Sequence, residues 1–250
     1  MIQFYKRYPL YFALAWIAGY VFLISLTDTL SAHLGIHNVV TLPVLVVVVM
    51  VLSAFIRKNR KSAYFGLTKS ASMFSARDLY LAPLVLIASN NLWGGVAINF
   101  GAVETTVIML TMLLIGIVEE ILFRGFLFRA IARKNLKTAI IVSAVTFGMG
   151  HIVNLLTAAS ALETMLQIVY ATAIGFLFTV FFVKTGSLIP CIVAHGVINA
   201  LSVFAAPGNP VDHSIQASIL TVLSLGYAIY LLKAIPATAL AEEYNTSTDC

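Results

Sequence analysis

Charge is what this chain has least of. Of its 250 residues, 60% are hydrophobic and only 10% are Asp, Glu, Lys or Arg, where an ordinary soluble domain carries roughly 25% charged residues. That shortage excludes a soluble globular domain and implies a polytopic membrane protein. Cysteine is scarce as well: Cys191 lies in an apolar run and Cys250 ends the sequence, which suggests neither a disulfide framework nor a metal knuckle. No H-E-x-x-H zinc signature, internal repeat or low-complexity linker occurs. The formal charge of +5 raises nucleic acid as a partner, but no soluble domain presents the basic residues. Membrane topology accounts for them better, and no nucleic-acid partner is expected.

What is abundant is apolar runs. Stretches long enough to span a bilayer fall at about 9–27, 39–56, 79–98, 105–123, 138–157, 164–183, 187–205 and 215–233, since a spanning helix needs about 17–25 such residues. The expected fold is an all-α bundle of about eight transmembrane helices. All 15 Lys and Arg residues fall on alternate sides of these spans, and none lies in "TDTLSAHLGIHN", "NFGAVE", "LTAASALE" or "APGNPVDHS". The positive-inside rule then puts both termini in the cytoplasm. The basic N-terminal stretch reads as a retained first span rather than a cleaved leader. One membrane domain over 1–250 is expected, with a flexible polar tail over 236–250. "FLFRAIARKNLK" spaces Arg129, Arg133 and Lys137 at i, i+4, i+8, which predicts a short amphipathic helix on the cytoplasmic surface. Trp16, Trp93 and tyrosines near span ends read as interfacial anchors.

Against this background the ionisable groups inside spans stand out: Glu119 and Glu120 in the fourth, His151 in the fifth and His195 in the seventh. Asn199 lies one helical turn beyond His195 on the same face. An ionisable group in a span is costly, so such groups answer to one another. Neighbours on a helix point about 100° apart, which gives Glu119 and Glu120 different jobs. Arg124 is four residues beyond Glu120, in the orientation that favours an ion pair, so Glu120 with Arg124 reads as support and Glu119 as the chemical group. Gly148 and Gly150 beside His151 are small residues of the kind that let helices approach closely. His33, His37 and His213 lie in outside loops with no partner in register and read as surface residues.

Two hydrolytic arrangements fit these groups. In one, Glu119 with His151 or His195 holds a divalent metal such as zinc, whose bound water is acidified. In the other, Glu119 and His151 activate water directly while His195 and Asn199 donate to a developing oxyanion. Asn is a poor zinc ligand and a good oxyanion donor, which favours the second and leaves the metal open.

"EEILFR", "FGMGH" and "HGVIN" carry the patterns E-E-x-x-x-R, F-x-x-x-H and H-x-x-x-N in that order, on the fourth, fifth and seventh spans. Together they resemble the CPBP family: type II CAAX prenyl endopeptidases of the Rce1 type and their bacterial Abi, or bacteriocin self-immunity, relatives. The resemblance covers about 104–204. It implies an intramembrane endopeptidase in which Glu119 and His151 match the water-activating pair, His195 and Asn199 the oxyanion pair, and Glu120 and Arg124 the supporting residues. It implies a peptide or protein substrate, lipidated or delivered from the membrane. The minimal loops resemble a prokaryotic member, in the cytoplasmic membrane of the cell. Two rival readings differ in class. A non-catalytic immunity or regulatory protein would retain protection without His151 and His195. A proton-coupled transporter would use Glu119 and Glu120 as its ion site.

Overall fold

A computed structural model describes residues 1–68, 81–157 and 160–234. The described chain is helical, with one isolated bridge between Val96 and Ala205. Among the described residues six helices are long and apolar enough to cross a membrane, and the chain is a multi-pass membrane bundle. Helices are the outcome that hydrocarbon enforces, because a run of apolar residues in lipid must satisfy its backbone groups within the segment.

The first compact unit comprises Met1–Leu122 and Leu188–Pro207. It contains α1 (Ile2–Arg7), α2 (Pro9–His33), α3 (Thr41–Lys58), α4 (Ala82–Ala88), α5 (Ala102–Glu120) and α9 (Ile189–Leu201). Proline stands in the first turn of α2, α4 and α9, where its missing N–H removes no intrahelical bond. An aromatic cluster of Tyr5, Phe12, Phe55 and Phe65, with ring centroids 5.3 to 6.2 Å apart around Tyr5, joins α1, α2 and α3. α5 and α9 meet through glycines: a Cβ on Gly116 would lie 2.7 Å from the Gly196 backbone nitrogen. Asn91 donates to the carbonyl of Ile198, and Asn99 to those of Val203 and Ala205, fastening the segment after α4 to the end of α9.

The second unit comprises Phe123–Ser187 and the chain from Gly208 on. It holds α6 (Arg129–Ala132), α7 (Leu136–Met149), α8 (Ala161–Thr185) and α10 (Pro210–Ala234). Asn135 and Ser160 cap α7 and α8 with their side chains, satisfying donors that a helix start leaves open. α8 is its inner helix, with 61% of its spanning window buried against 28% for α7 and 33% for α10. Gly148 lets α7 lie on α8, since a Cβ there would meet Thr172 and come within 2.8 Å of the Ile168 carbonyl oxygen. α8 stops at Gly186, whose φ of 72° is a left-handed conformation that glycine adopts without steric cost.

Several expectations change. The seventh span is shorter than a full crossing, an apolar helix over Ile189–Phe204. In the third, α4 has 7 residues followed by a single 3₁₀ turn over Asn90–Leu92, and residues 79–80 of that expectation lie outside the described residues, as does the tail 236–250. The segment after Glu120 is no separate surface helix. A π-helical stretch over Ile121–Phe128 continues α5 into α6, giving one helix over Ala102–Ala132. Arg129 is buried there at 2% exposure, with its guanidinium 5.2 Å from the centre of the Phe182 ring. An aromatic face accepts a weakly hydrated guanidinium where lipid or solvent was expected. Gly150 lies in open space and makes no close approach. His37 and His213 are surface residues, yet each has a partner: His37 Nδ1 is 2.6 Å from Glu104 and His213 Nδ1 is 3.1 Å from Glu163.

Candidate active site

Three helices of the first unit converge on the paired carboxylates. Glu119 and Glu120 end α5, His195 and Asn199 lie on α9, and Tyr20 comes from the middle of α2. The Gly116–Gly196 contact sets the spacing of α5 and α9 one turn from the carboxylates and next to His195. Small residues at this crossing bring the backbones close enough for short polar side chains to meet. The π stretch begins directly after Glu120; such widened turns often accompany functional sites.

The two carboxylates do divide their contacts. Glu120 is fully buried, and its Oε1 lies 2.9 Å from His195 Nδ1. An ionised carboxylate can only accept, so in this bond Nδ1 carries the proton and Nε2 is left as the ring atom that meets other groups. Nε2 points to Glu119, with Oε2 at 3.7 Å. That distance is too long for a direct hydrogen bond and suits one oxygen placed about 2.8 Å from each atom. Glu119 keeps 19% of its side chain exposed, and its Oε1 accepts from the Tyr20 hydroxyl at 2.9 Å. Asn199 is half-buried, and its side-chain amide makes no hydrogen bond among the described residues.

His151 and Arg124 belong to the second unit. His151 follows α7 in a 3₁₀ stretch, with Nδ1 3.3 Å from the Gly148 carbonyl oxygen and its ring edge-on to Phe147 at 5.7 Å. Arg124 is fully buried in the π stretch. It donates to the Gly175 carbonyl at 2.9 Å and lies 4.3 Å from the centre of the Phe147 ring. Ser143 donates to the carbonyl of Phe123, one way in which a hydroxyl satisfies backbone groups that irregular helix leaves open.

A divalent metal held by Glu119, His151 and His195 needs a convergent donor set. Among the described residues no group of three or more His, Cys, Asp or Glu side chains could hold a metal ion, whereas a catalytic zinc takes three protein ligands and an open position. The residues described do not fit a three-ligand zinc, and no chemical step is derived through one.

Tyr20 is the residue that reading the sequence missed. Tyrosines near span ends read as interfacial anchors, but Tyr20 stands within the expected first span and is 7% exposed. A phenol away from either interface needs a hydrogen-bond partner, and that position was the available signal.

No curated protein and no solved structure matches the chain. Residues 101–201 match the family model of type II CAAX prenyl endopeptidase Rce1-like proteins. The matched stretch includes Glu119, Glu120, Arg124, His151, His195 and Asn199. The match supports a protease, in line with the CPBP resemblance of the three motifs. In a chain so poor in charge, the carboxylates and imidazoles of the three motifs all fall within the stretch, residues 101–201, that is similar to the Rce1-like family.

Proposed function

We propose that the protein is an intramembrane endopeptidase that hydrolyses a peptide bond near the cytoplasmic membrane face, in a CAAX-type or peptide-precursor substrate. The observation that carries this reading is the pairing of Glu119 Oε2 with His195 Nε2 across 3.7 Å, while Glu120 holds the other ring nitrogen. Glu119 is the general base: it takes a proton from water as the water oxygen bonds to the scissile carbonyl carbon. The tetrahedral oxyanion receives hydrogen bonds from His195 Nε2–H and the Asn199 amide. In that role the ring works as an imidazolium, its two N–H groups directed at Glu120 and at the reacting oxygens. Collapse of the intermediate breaks the C–N bond, and the proton held by Glu119 passes to the leaving amine. The family motif implies His151 as the partner of Glu119 in water activation and Arg124 as a supporting residue.

The substrate proposed is a peptide or protein that is lipidated or delivered through the membrane, since Glu119 lies within a helix apolar and long enough to span lipid and is partly exposed. The proposed location is a prokaryotic cytoplasmic membrane with both termini inside. Wild type and Glu119→Gln, purified and reconstituted in proteoliposomes, would be incubated with a peptide library that includes prenylated C-terminal peptides. Cleavage sites are read by mass spectrometry. Cleavage by wild type that Glu119→Gln abolishes supports the assignment; cleavage retained by Glu119→Gln removes Glu119 from the chemistry.

A further inference from the structure

We infer that Tyr20 is a positioning residue for Glu119, reaching from α2 to fix which carboxylate oxygen faces His195. The inference rests on the proposed role of Glu119 as general base. A glutamate has several rotatable bonds, and one whose side chain is 19% exposed has room to turn either oxygen toward His195. The Tyr20 hydroxyl removes that freedom by donating to Oε1 at 2.9 Å. Oε2 is then the oxygen presented to His195 Nε2. Glu119 is thus held by α2 on one oxygen, and His195 by Glu120 on one nitrogen, so each reacting partner has one fixed atom and one working atom.

The phenol contacts the proposed base directly. It is buried at 7% exposure on a helix whose other described acid, Asp28, bonds instead to Asn38 and Thr41 at the far end. A hydroxyl buried among apolar side chains must find an acceptor, so a bond to the nearest carboxylate could be purely structural. The two roles differ in what they change. A structural bond alters thermal stability and leaves turnover alone, whereas a positioning bond alters kcat with KM preserved. Displacing a reacting group by about 1 Å costs on the order of 100-fold in rate.

The test compares wild type, Tyr20→Phe, Glu119→Gln and Tyr11→Phe in proteoliposomes. Tyr11 is an exposed residue of the same helix, at 67%, and serves as the control. Tyr20→Phe is expected to lower kcat by about 10- to 100-fold with KM unchanged, while Tyr11→Phe matches wild type. Infrared spectroscopy gives a second measurement that needs no turnover. The carboxyl band of Glu119, identified by its loss in Glu119→Gln, is expected to shift in Tyr20→Phe. An unshifted band overturns the hydrogen bond. A shifted band with wild-type kcat, alongside an inactive Glu119→Gln, overturns the positioning role and leaves the proposed function standing. A fully active Glu119→Gln overturns the proposed function, and with it the positioning role. If Tyr20→Phe fails to insert, Tyr20→3-fluorotyrosine keeps the hydroxyl and makes it a stronger donor. It is expected to move the same band, and an unmoved band counts against the inference.

Discussion

Replacing Glu120 separates support from chemistry. Its carboxylate is fully buried and lies 2.9 Å from His195 Nδ1. In Glu120→Ala the acceptor disappears and a buried ring N–H loses this partner, which costs about 1–3 kcal/mol. If that cost is expressed as a misoriented imidazole, it corresponds to a fall in kcat of about 5- to 150-fold, at 1.36 kcal/mol per factor of ten. Glu120→Gln has nearly the same shape and keeps an amide oxygen that accepts from Nδ1–H, so the ring stays oriented. The loss in Glu120→Gln is therefore expected to be smaller than in Glu120→Ala. The assay is steady-state cleavage of a reporter peptide by proteoliposomes, with thermal midpoints measured in parallel. KM is expected to change little in either variant, because Glu120 has no exposed surface with which to touch substrate. Equal activity of Glu120→Ala and wild type would refute the orienting role. A Glu120→Gln loss as large as that of Glu120→Ala would show that charge, and not the acceptor, is what the ring requires.

Gly116→Ala places a Cβ 2.8 Å from the Gly196 Cα and forces α5 and α9 apart; overpacking of this kind costs about 1–3 kcal/mol, so both thermal midpoint and turnover should fall. Gly150→Ala, with no atom within 4 Å of the new methyl, should leave both unchanged, and a loss there would contradict the packing described. Arg124→Leu removes the donor to the Gly175 carbonyl and the cation from the Phe147 ring. The protein should unfold at lower temperature in detergent, and Arg124→Lys, which lacks the planar guanidinium, should restore only part of the loss. Cleavage by the wild type is expected to persist in excess chelator, because the described donors form no three-ligand metal set; inhibition reversed by added zinc would contradict that reading.

The scarcity of charge and the long apolar runs disclosed the membrane class directly, since hydropathy is a local property and lipid leaves a backbone little choice but the helix. The three motifs were legible for the same reason: each lies within a few residues of chain, and all fall in the stretch that matches the Rce1-like family model. What those residues do to one another was not legible. The contact of Glu120 to His195 spans 75 residues and depends on the approach of Gly116 to Gly196. The tyrosine at Glu119 is 99 residues away; its place inside the first span sets it apart from an anchor, but no local pattern names its partner. The periodic spacing of Arg129, Arg133 and Lys137 suggested an interfacial helix, but periodicity cannot reveal that the Phe182 ring covers Arg129. The sequence by itself therefore determined the solvent of this protein and its stock of reactive groups. The tertiary structure decided which oxygen of Glu119 accepts from Tyr20 and which nitrogen of His195 meets Glu120, because that choice is made by hydrogen bonds between helices far apart in the chain.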